Sequence, residues 1–425
     1  MNAFDRIIGY ASEKEEMMRL CDVLKNSDKY LKLGVKIPKA VLLYGEPGLG
    51  KTLMAKAFIA ETGRQVFHCK KNKSNGGFVN EIKATFENAI KNAPSIIFFD
   101  DMDKFAEDNL QRNCNKEEFV SIQTGLEDIV DQDVFVIATA NDILYLPDSL
   151  MREGRFGKQI KFSPPSFEDS VKIIHHFLSE KHMTVEVTAE TLAFILSEKS
   201  CAMLESVINE AGIYAAYSGR RKIIRDDIKN AVSNVLLKRN SRQNIEDETK
   251  RRIAYHEAGH ALLSILTKKS VGCLAIGECG QDGIGVGVCS CMPLSALPTL
   301  KELENKIMML LAGKAAVEIK FGEIDVGAKK DLFAAMDMVS DLMENLAANG
   351  FEHLYLQDAY CAMQAMNQID KNQEKKNRVL EALYIRTKTL LVENNDFFDE
   401  LAQNLFEQGI LLYDEINEMA KKHRY

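Results

Sequence analysis

An α/β module, a parallel sheet covered by helices with a small helical subdomain behind it, followed by a mainly α-helical second half, is the fold class this sequence predicts. Three observations predict it. Short apolar runs of strand length, Ala40–Tyr44, Ser95–Phe99 and Val134–Ala140, are separated by helical patterns, and such alternation argues for parallel strands covered by helices. After Pro164-Pro165 the apolar spacing turns helical as far as Leu237, most clearly over residues 205–216. From residue 300 to the C-terminus the pattern is almost wholly helical, with Met308, Met309, Leu310 and Leu311 reading as core.

These shifts divide the chain into a large α/β unit over residues 1–165, a helical unit over 166–237, a polar linker over 238–248 and a third unit over 249–425. With 425 residues and 46% hydrophobic content the chain can bury several cores. The formal net charge of -8 gives no general pull toward nucleic acid or anionic lipid, and the run Lys70-Lys71-Asn72-Lys73 reads as a solvated loop. Nine cysteines, odd in number and scattered, fit reduced thiols in a cytoplasmic setting. Cys289-Ser290-Cys291 would place two sulfurs on one face of a strand, which suits a metal, although packed or surface thiols explain it more simply. No run approaches the 18 or so apolar residues of a membrane span.

Taken in order, the first chemistry appears where Ala40–Tyr44 enters Gly45-Glu46-Pro47-Gly48-Leu49-Gly50-Lys51-Thr52 and leaves as a helix beginning near Leu53. The spacing is that of a phosphate loop. Gly45, Gly48 and Gly50 let the backbone curl so that its N–H groups face phosphate oxygens, and the helix N-terminus adds positive potential. Lys51 meets the β- and γ-phosphates and Thr52 offers a hydroxyl to magnesium, so ATP with magnesium is the expected ligand. A second element fits. The apolar strand ending at Phe99 runs into Asp100, placed for the magnesium shell, and Asp101, placed to polarise the attacking water.

In the third unit, Tyr255-His256-Glu257-Ala258-Gly259-His260 sets two histidines four residues apart, within about 40° of one helical face and one turn apart. Both imidazoles can reach one zinc ion, and Glu257 can serve as base toward a water that the metal acidifies. The glycine-dense residues 280–287 read as a hairpin or an edge strand.

The two motifs, in this order and covering nearly the whole chain, resemble the AAA+ ATPases and, more narrowly, the FtsH-type AAA proteases, hexameric ATP-dependent zinc endopeptidases that unfold and degrade proteins. The resemblance implies an AAA+ module with a helical lid followed by a zinc metallopeptidase domain. It implies Asn141 as a sensor of the γ-phosphate, and Arg152 and Arg155 as arginine fingers reaching a neighbouring subunit. It marks Asp331 as the third zinc ligand, Glu318 as a reserve ligand or a support for the ligands, and Gly283-Ile284-Gly285-Val286-Gly287-Val288 as a substrate-binding edge strand. Polypeptides would be the substrates and a homo-hexamer the assembly, without nucleic acid and without a membrane span in this stretch.

Three positions depart from the family pattern. The usual glutamate after the magnesium aspartate is Asp101, whose carboxylate retreats by roughly 1.5 Å, one C–C bond, implying slow hydrolysis. The central-pore segment, normally aromatic, is Ser74-Asn75-Gly76-Gly77 with Phe78 displaced along it, implying weak grip. Leu126-Glu127-Asp128-Ile129 stands where a glycine-containing signalling turn between subunits is common. Members usually carry membrane segments ahead of the ATPase domain, and an upstream segment would place the protein on the cytoplasmic side of a membrane. A protein-remodelling ATPase with weak peptidase activity is the alternative reading; a nucleic-acid-directed ATPase lacks a basic face.

Overall fold

The computed structural model describes residues 2–71, 77–105, 117–237, 246–277, 286–291, 297–324, 326–344, 346 and 362–425. The pore segment Ser74-Asn75-Gly76, residues 238–245 of the expected linker and residues 280–285 of the glycine-rich run lie outside them. Two compact units emerge, Met1–Ile173 with Lys199–Glu205, and Ile174–Glu198 with Ser206–Tyr425.

The first unit carries α1 (Ala11–Lys25), α2 (Ser27–Lys32), β1 (Ala40–Tyr44), α3 (Lys51–Thr62), β2 (Gln65–Cys69), α4 (Phe78–Lys91), β3 (Ser95–Phe99), α5 (Glu117–Asp128), β4 (Val134–Ala140) and β5 (Lys158–Lys161), and α6 (Phe167–Ser179) begins in it. The strands form one parallel sheet in the order β2-β3-β4-β1-β5. The three apolar runs of the sequence are its central strands. Its edges, Gln65–Cys69 and Lys158–Lys161, bury only Cys69 and Ile160 fully and so lack the continuous apolar run that marks a strand covered on both faces.

Alternation along the central strands builds a core on each face. Leu42, Ile97, Phe99 and Val136 meet Ile82, Phe86, Phe119 and Leu126 from α4 and α5, while Val41, Leu43, Phe98 and Ile137 meet Met17, Met54 and Phe58 from α1 and α3. Each fully buried side chain of this size contributes about 1.5–3 kcal/mol relative to exposure. Phe78 belongs to this core, 4% exposed and edge-on to Phe105 at 4.9 Å, so it is not presented to solvent as a gripping residue. Of Leu126-Glu127-Asp128-Ile129, at the C-terminal end of α5 and just after it, Leu126 and Ile129 are fully buried and Glu127 and Asp128 are exposed.

The second unit contains β6 (Thr184–Val185), α7 (Ala189–Ile195), most of α8 (Cys201–Tyr217), β7 (Lys222–Ile223) and α9 (Arg225–Leu237). It continues with α10 (Asp247–Leu266), β8 (Val271–Gly277), β9 (Val286–Cys291), α11 (Leu300–Phe321), α12 (Lys329–Glu344), α13 (Ala362–Glu393), α14 (Asn395–Gln408), β10 (Ile410–Leu412) and α15 (Tyr413–Lys422). The expected helical second half is present, with one addition. An antiparallel sheet of order β10-β8-β9 lies within it, and β9 is its edge. Of the glycine-rich run, Val286 and Gly287 are described and open β9, which pairs with β8; among the described residues no third strand pairs with its other side. The short β10 follows a glycine helix stop, Gly409 at φ 74, and was hidden inside a helical pattern.

Helix α11 starts with a capping box between Thr299 and Glu302 and stops at Gly322 in the left-handed region. It packs closely on α10. A Cβ on Gly259 would sit 2.7 Å from the Ala312 carbonyl oxygen, so the glycine between the two histidines is what lets the helices touch. Among the described residues no helix is long and apolar enough to cross a membrane.

Candidate active sites

Strands β1, β3 and β4 lie side by side and end together, so the segments leaving Tyr44, Phe99 and Ala140 share one edge of the sheet. Ligands bind at that edge in open parallel sheets. The loop after β1 turns through Gly45 (φ 141), Gly48 (φ 78) and Gly50 (φ 91), conformations that suit glycine. Space adds a second constraint, because a Cβ on Gly45 would meet the Phe162 carbonyl oxygen at 2.1 Å. The Gly48 carbonyl accepts a hydrogen bond of 3.0 Å from the Ala202 N–H.

Within this curl Lys51 is buried and donates to the carbonyls of Gly45 (2.6 Å) and Glu46 (2.7 Å) and to Asn141 Oδ1 (2.9 Å). Burial lowers its pKa, against the pull of Asp103, Asp101, Asp100 and Glu46. Its carbonyl partners stand in for the phosphate oxygens such an ammonium would meet. Thr52 Oγ1 donates to Asp100 Oδ1 at 3.1 Å, and Thr139 Oγ1 donates to the same oxygen at 2.9 Å. Lys51, Thr52, Asp100 and Asn141 are therefore brought together, and Asp101 follows directly. Asp101 adopts φ 55, receives no glycine's freedom, and is held by its N–H to Thr139 Oγ1 and by Lys104 Nζ at 2.8 Å from Oδ2. Pro47 and Leu49 complete the loop, Leu49 fully buried, whereas Leu53 is 51% exposed.

Two contributors escaped the sequence reading. Asp103, 7% exposed, accepts from the Asn141 N–H at 3.0 Å and from Asn141 Nδ2 at 3.2 Å, turning Oδ1 of that side chain toward Lys51. Thr139 ties both aspartates to β4. The spacing Asp100-x-x-Asp103 was the available signal. Arg152 is exposed, and Arg155 is engaged by its own chain, donating to the Ser149 carbonyl at 2.5 Å and to Glu127 Oε1 at 2.6 Å.

The second constellation sits on α10, α11 and α12. His256 Nε2 and His260 Nε2 are 3.0 Å apart, and Asp331 Oδ2, on the first turn of α12, lies 3.2 Å from one and 3.4 Å from the other. A tetrahedral zinc ion with bonds of about 2.0–2.1 Å spaces its ligand atoms by about 3.3–3.4 Å, so the three fit the faces of one ion. They are the single such group of three among the described residues. His260 Nδ1 is 2.6 Å from the Met309 carbonyl; donating there leaves Nε2 with its lone pair toward the centre.

Electrostatics agree with a cation. Glu257 is buried beside the same centre; desolvation raises its pKa, with the two histidines opposing and Asp331 adding to the rise. Burial disfavours a charged His260, yet Asp331, Glu257 and the Met309 carbonyl together push it up to about 9. Burial likewise works against an ionised Asp331, and contact with both histidines holds it well below the usual carboxylate range. Two carboxylates in one buried place thus draw positive charge.

Two glycines clear the centre. A Cβ on Gly313 would meet His256 Nε2 at 2.4 Å and His260 Nε2 at 2.6 Å, and one on Gly287 of β9 would meet Glu257 Oε1 at 2.1 Å. Glu318, the reserve ligand, turns elsewhere: it pairs with Lys314 (3.1 Å) and Lys388 (2.5 Å) and accepts from the Tyr384 hydroxyl.

Comparison with known proteins joins both constellations. Residues 41–164 match the ATPase family associated with various cellular activities (AAA), and residues 243–419 match peptidase family M41. The chain is 31% identical to an ATP-dependent zinc metalloprotease FtsH 2 of Thermoanaerobacter sp., over 97% of this chain and 82% of that protein. It is 28% identical to an FtsH of Helicobacter felis over 99% of this chain and 70% of the other, and 30% identical to a chloroplastic FTSH of Capsicum annuum over 95% and 66%.

Proposed function

The chain belongs to the FtsH family of ATP-dependent zinc metalloproteases, and from that premise we propose that it hydrolyses polypeptides at the His256–Glu257–His260–Asp331 centre and turns over ATP at the Gly45–Thr52 loop. Zinc and magnesium-bound ATP are the cofactors of such a protein. The observation that carries the peptidase reading is the triangle of His256, His260 and Asp331 ligand atoms with Glu257 buried against it.

In this reading His256, His260 and Asp331 hold zinc, which when bound polarises a peptide carbonyl and acidifies water. Glu257 is the base. Its burial beside two histidines favours taking a proton during attack and giving it to the leaving amine. Gly287 keeps the β9 backbone close to Glu257, so a peptide adding to the open side of β9 by main-chain hydrogen bonds would bring its own backbone to that carboxylate.

At the nucleotide loop, Lys51, now on the Gly45 and Glu46 carbonyls, would bind phosphate oxygens, Thr52 and Asp100 would hold magnesium, and Asn141, oriented by Asp103, would sense the terminal phosphate. Asp101 orients water. Arg152 and Arg155 act on a neighbouring subunit in a ring of six, and the working division is 1–165, 166–237, 238–248 and 249–425. The shortened Asp101 supports slow turnover, and the buried Phe78 supports weak grip on folded substrates. The cytoplasm is the proposed location of these domains.

Zinc dependence is the direct test. Cleavage of an unstructured peptide should vanish on chelation and return with zinc, with and without ATP, whereas a stably folded protein should be degraded slowly at best. Cleavage that survives exhaustive chelation would sink the proposal.

A further inference from the structure

Seven residues separate Glu257 from Ser264, two turns of α10, so both lie on the face that β9 covers. Along β9 the residues that meet this face alternate: Gly287 lies against Glu257, and Cys291 lies with Sγ 3.2 Å from Ser264 Oγ. Cys289 falls between them, its Sγ 3.3 Å from Cys291 Sγ, and both thiols are free and half-buried. Two thiols in contact on an edge strand beside a proposed catalytic carboxylate have no role in the chemistry above.

We propose that Cys289 and Cys291 are a modification site at which a hydroperoxide closes an intrastrand disulfide, and that closure disables peptide capture along β9. The effect on capture rests on the peptidase reading; the thiol chemistry does not. In the first step a Cys291 thiolate attacks one peroxide oxygen, the O–O bond breaks, and water or an alcohol leaves as the sulfenic acid forms. In the second, the Cys289 sulfur attacks the sulfenic sulfur, the S–S bond forms and water departs. Two thiols lose two electrons and one hydroperoxide gains them. Either sulfur can donate to the other, and the Ser264 hydroxyl 3.2 Å from Cys291 gives that sulfur a second polar neighbour, so Cys291 is the one whose thiolate is favoured and Cys289 the one held protonated.

Strand geometry couples the bond to the site. Residues i and i+2 of an extended strand lie about 6.4–6.8 Å apart, at the upper limit of the roughly 4.4–6.8 Å spanned by disulfides. Closure therefore shortens β9. Gly287 is two residues away, with no room between its backbone and Glu257, so the shortened strand shifts the wall on which the carboxylate rests.

The experiment treats the full chain with hydrogen peroxide, blocks remaining thiols, and reads residues 286–291 by mass spectrometry alongside cleavage of an unstructured peptide. The expected result is loss of two hydrogens across Cys289 and Cys291, a roughly tenfold to 100-fold fall in cleavage, and recovery of both by a thiol reductant. Cys289→Ser and Cys291→Ser, each compared with its own untreated sample, should lose less than the parent. Oxygen addition without the disulfide overturns the site, and a disulfide that leaves cleavage unchanged overturns the switch. If the reduced parent cleaves nothing, the peptidase reading fails, and the mass shift still decides the thiol chemistry.

Discussion

Lys104 Nζ lies 2.8 Å from Asp101 Oδ2, so the carboxylate proposed to orient the attacking water is held by a lysine of its own loop. The pair is partly exposed and is worth at most about 1 kcal/mol, enough to bias the resting position of a side chain already one methylene short. Lys104→Ala should raise ATP turnover by about two- to fivefold, and Asp101→Glu by a comparable or larger factor. Steady-state kcat at saturating magnesium and nucleotide is the measurement. Unchanged kcat in both variants would mean that neither the length nor the restraint of this carboxylate limits the reaction.

Gly313 touches both histidines through the space where a Cβ would stand. Gly313→Ala should therefore lower zinc affinity by about 10–100-fold, the size of effect seen when groups that orient metal ligands are disturbed. Zinc content after dialysis against a competing chelator reads it, with circular dichroism to check that the helices persist. Parental zinc retention would show that α11 yields without moving His256 or His260.

Arg155 already has partners in its own chain, Glu127 and the Ser149 carbonyl, so reaching a neighbour's nucleotide requires leaving them. In co-assembled mixtures of parent with Arg155→Ala, ATPase activity should fall more steeply than the parental mole fraction. A strictly proportional fall at every ratio would assign Arg155 a role inside its own subunit.

Glu318 tests the packing behind the metal helices. Hydrogen bonds from Lys388 and Tyr384, with Lys314 beyond, outweigh the opposing effect of burial and hold its pKa at about 2, below the ordinary 4.5. A depressed carboxylate pKa stabilises the fold above the unfolded value and loses that contribution as pH falls from about 4.5 toward 2. Because the side chain is 30% exposed, solvent screening reduces the contribution to about 1 kcal/mol. Glu318→Gln should lower the urea midpoint at pH 7 and lower it less at pH 3. An equal deficit at both values would mean that the network's charge is irrelevant to stability.

What the sequence revealed follows from what each feature needs locally. The central strands were legible because burial on both faces demands unbroken apolar runs such as Ile96-Ile97-Phe98-Phe99, while edge strands such as Lys158–Lys161 have one open side and carry no such run. The histidine pair was legible because its geometry is fixed by four helical residues. Asp331, 71 residues after His260, could be reached by resemblance alone, since no local rule links α12 to α10. Asp103, Thr139 and Gly313 were missed as participants because their meaning lies in contacts across the fold: a buried carboxylate under Asn141, a hydroxyl between two aspartates, a missing Cβ; the shared face of Cys289 and Cys291 was legible from strand alternation, but not the helix it meets.

Glu257 is proposed to work as the base beside a zinc ion held by His256, His260 and Asp331. Glu257→Gln keeps the shape and removes the basic carboxylate, so zinc content and cleavage of an unstructured peptide should be measured together in the same preparation. About one zinc per chain is expected in both parent and variant, with cleavage by the variant lowered by about 100- to 10,000-fold. A variant that retains zinc and cleaves at the parental rate would contradict it.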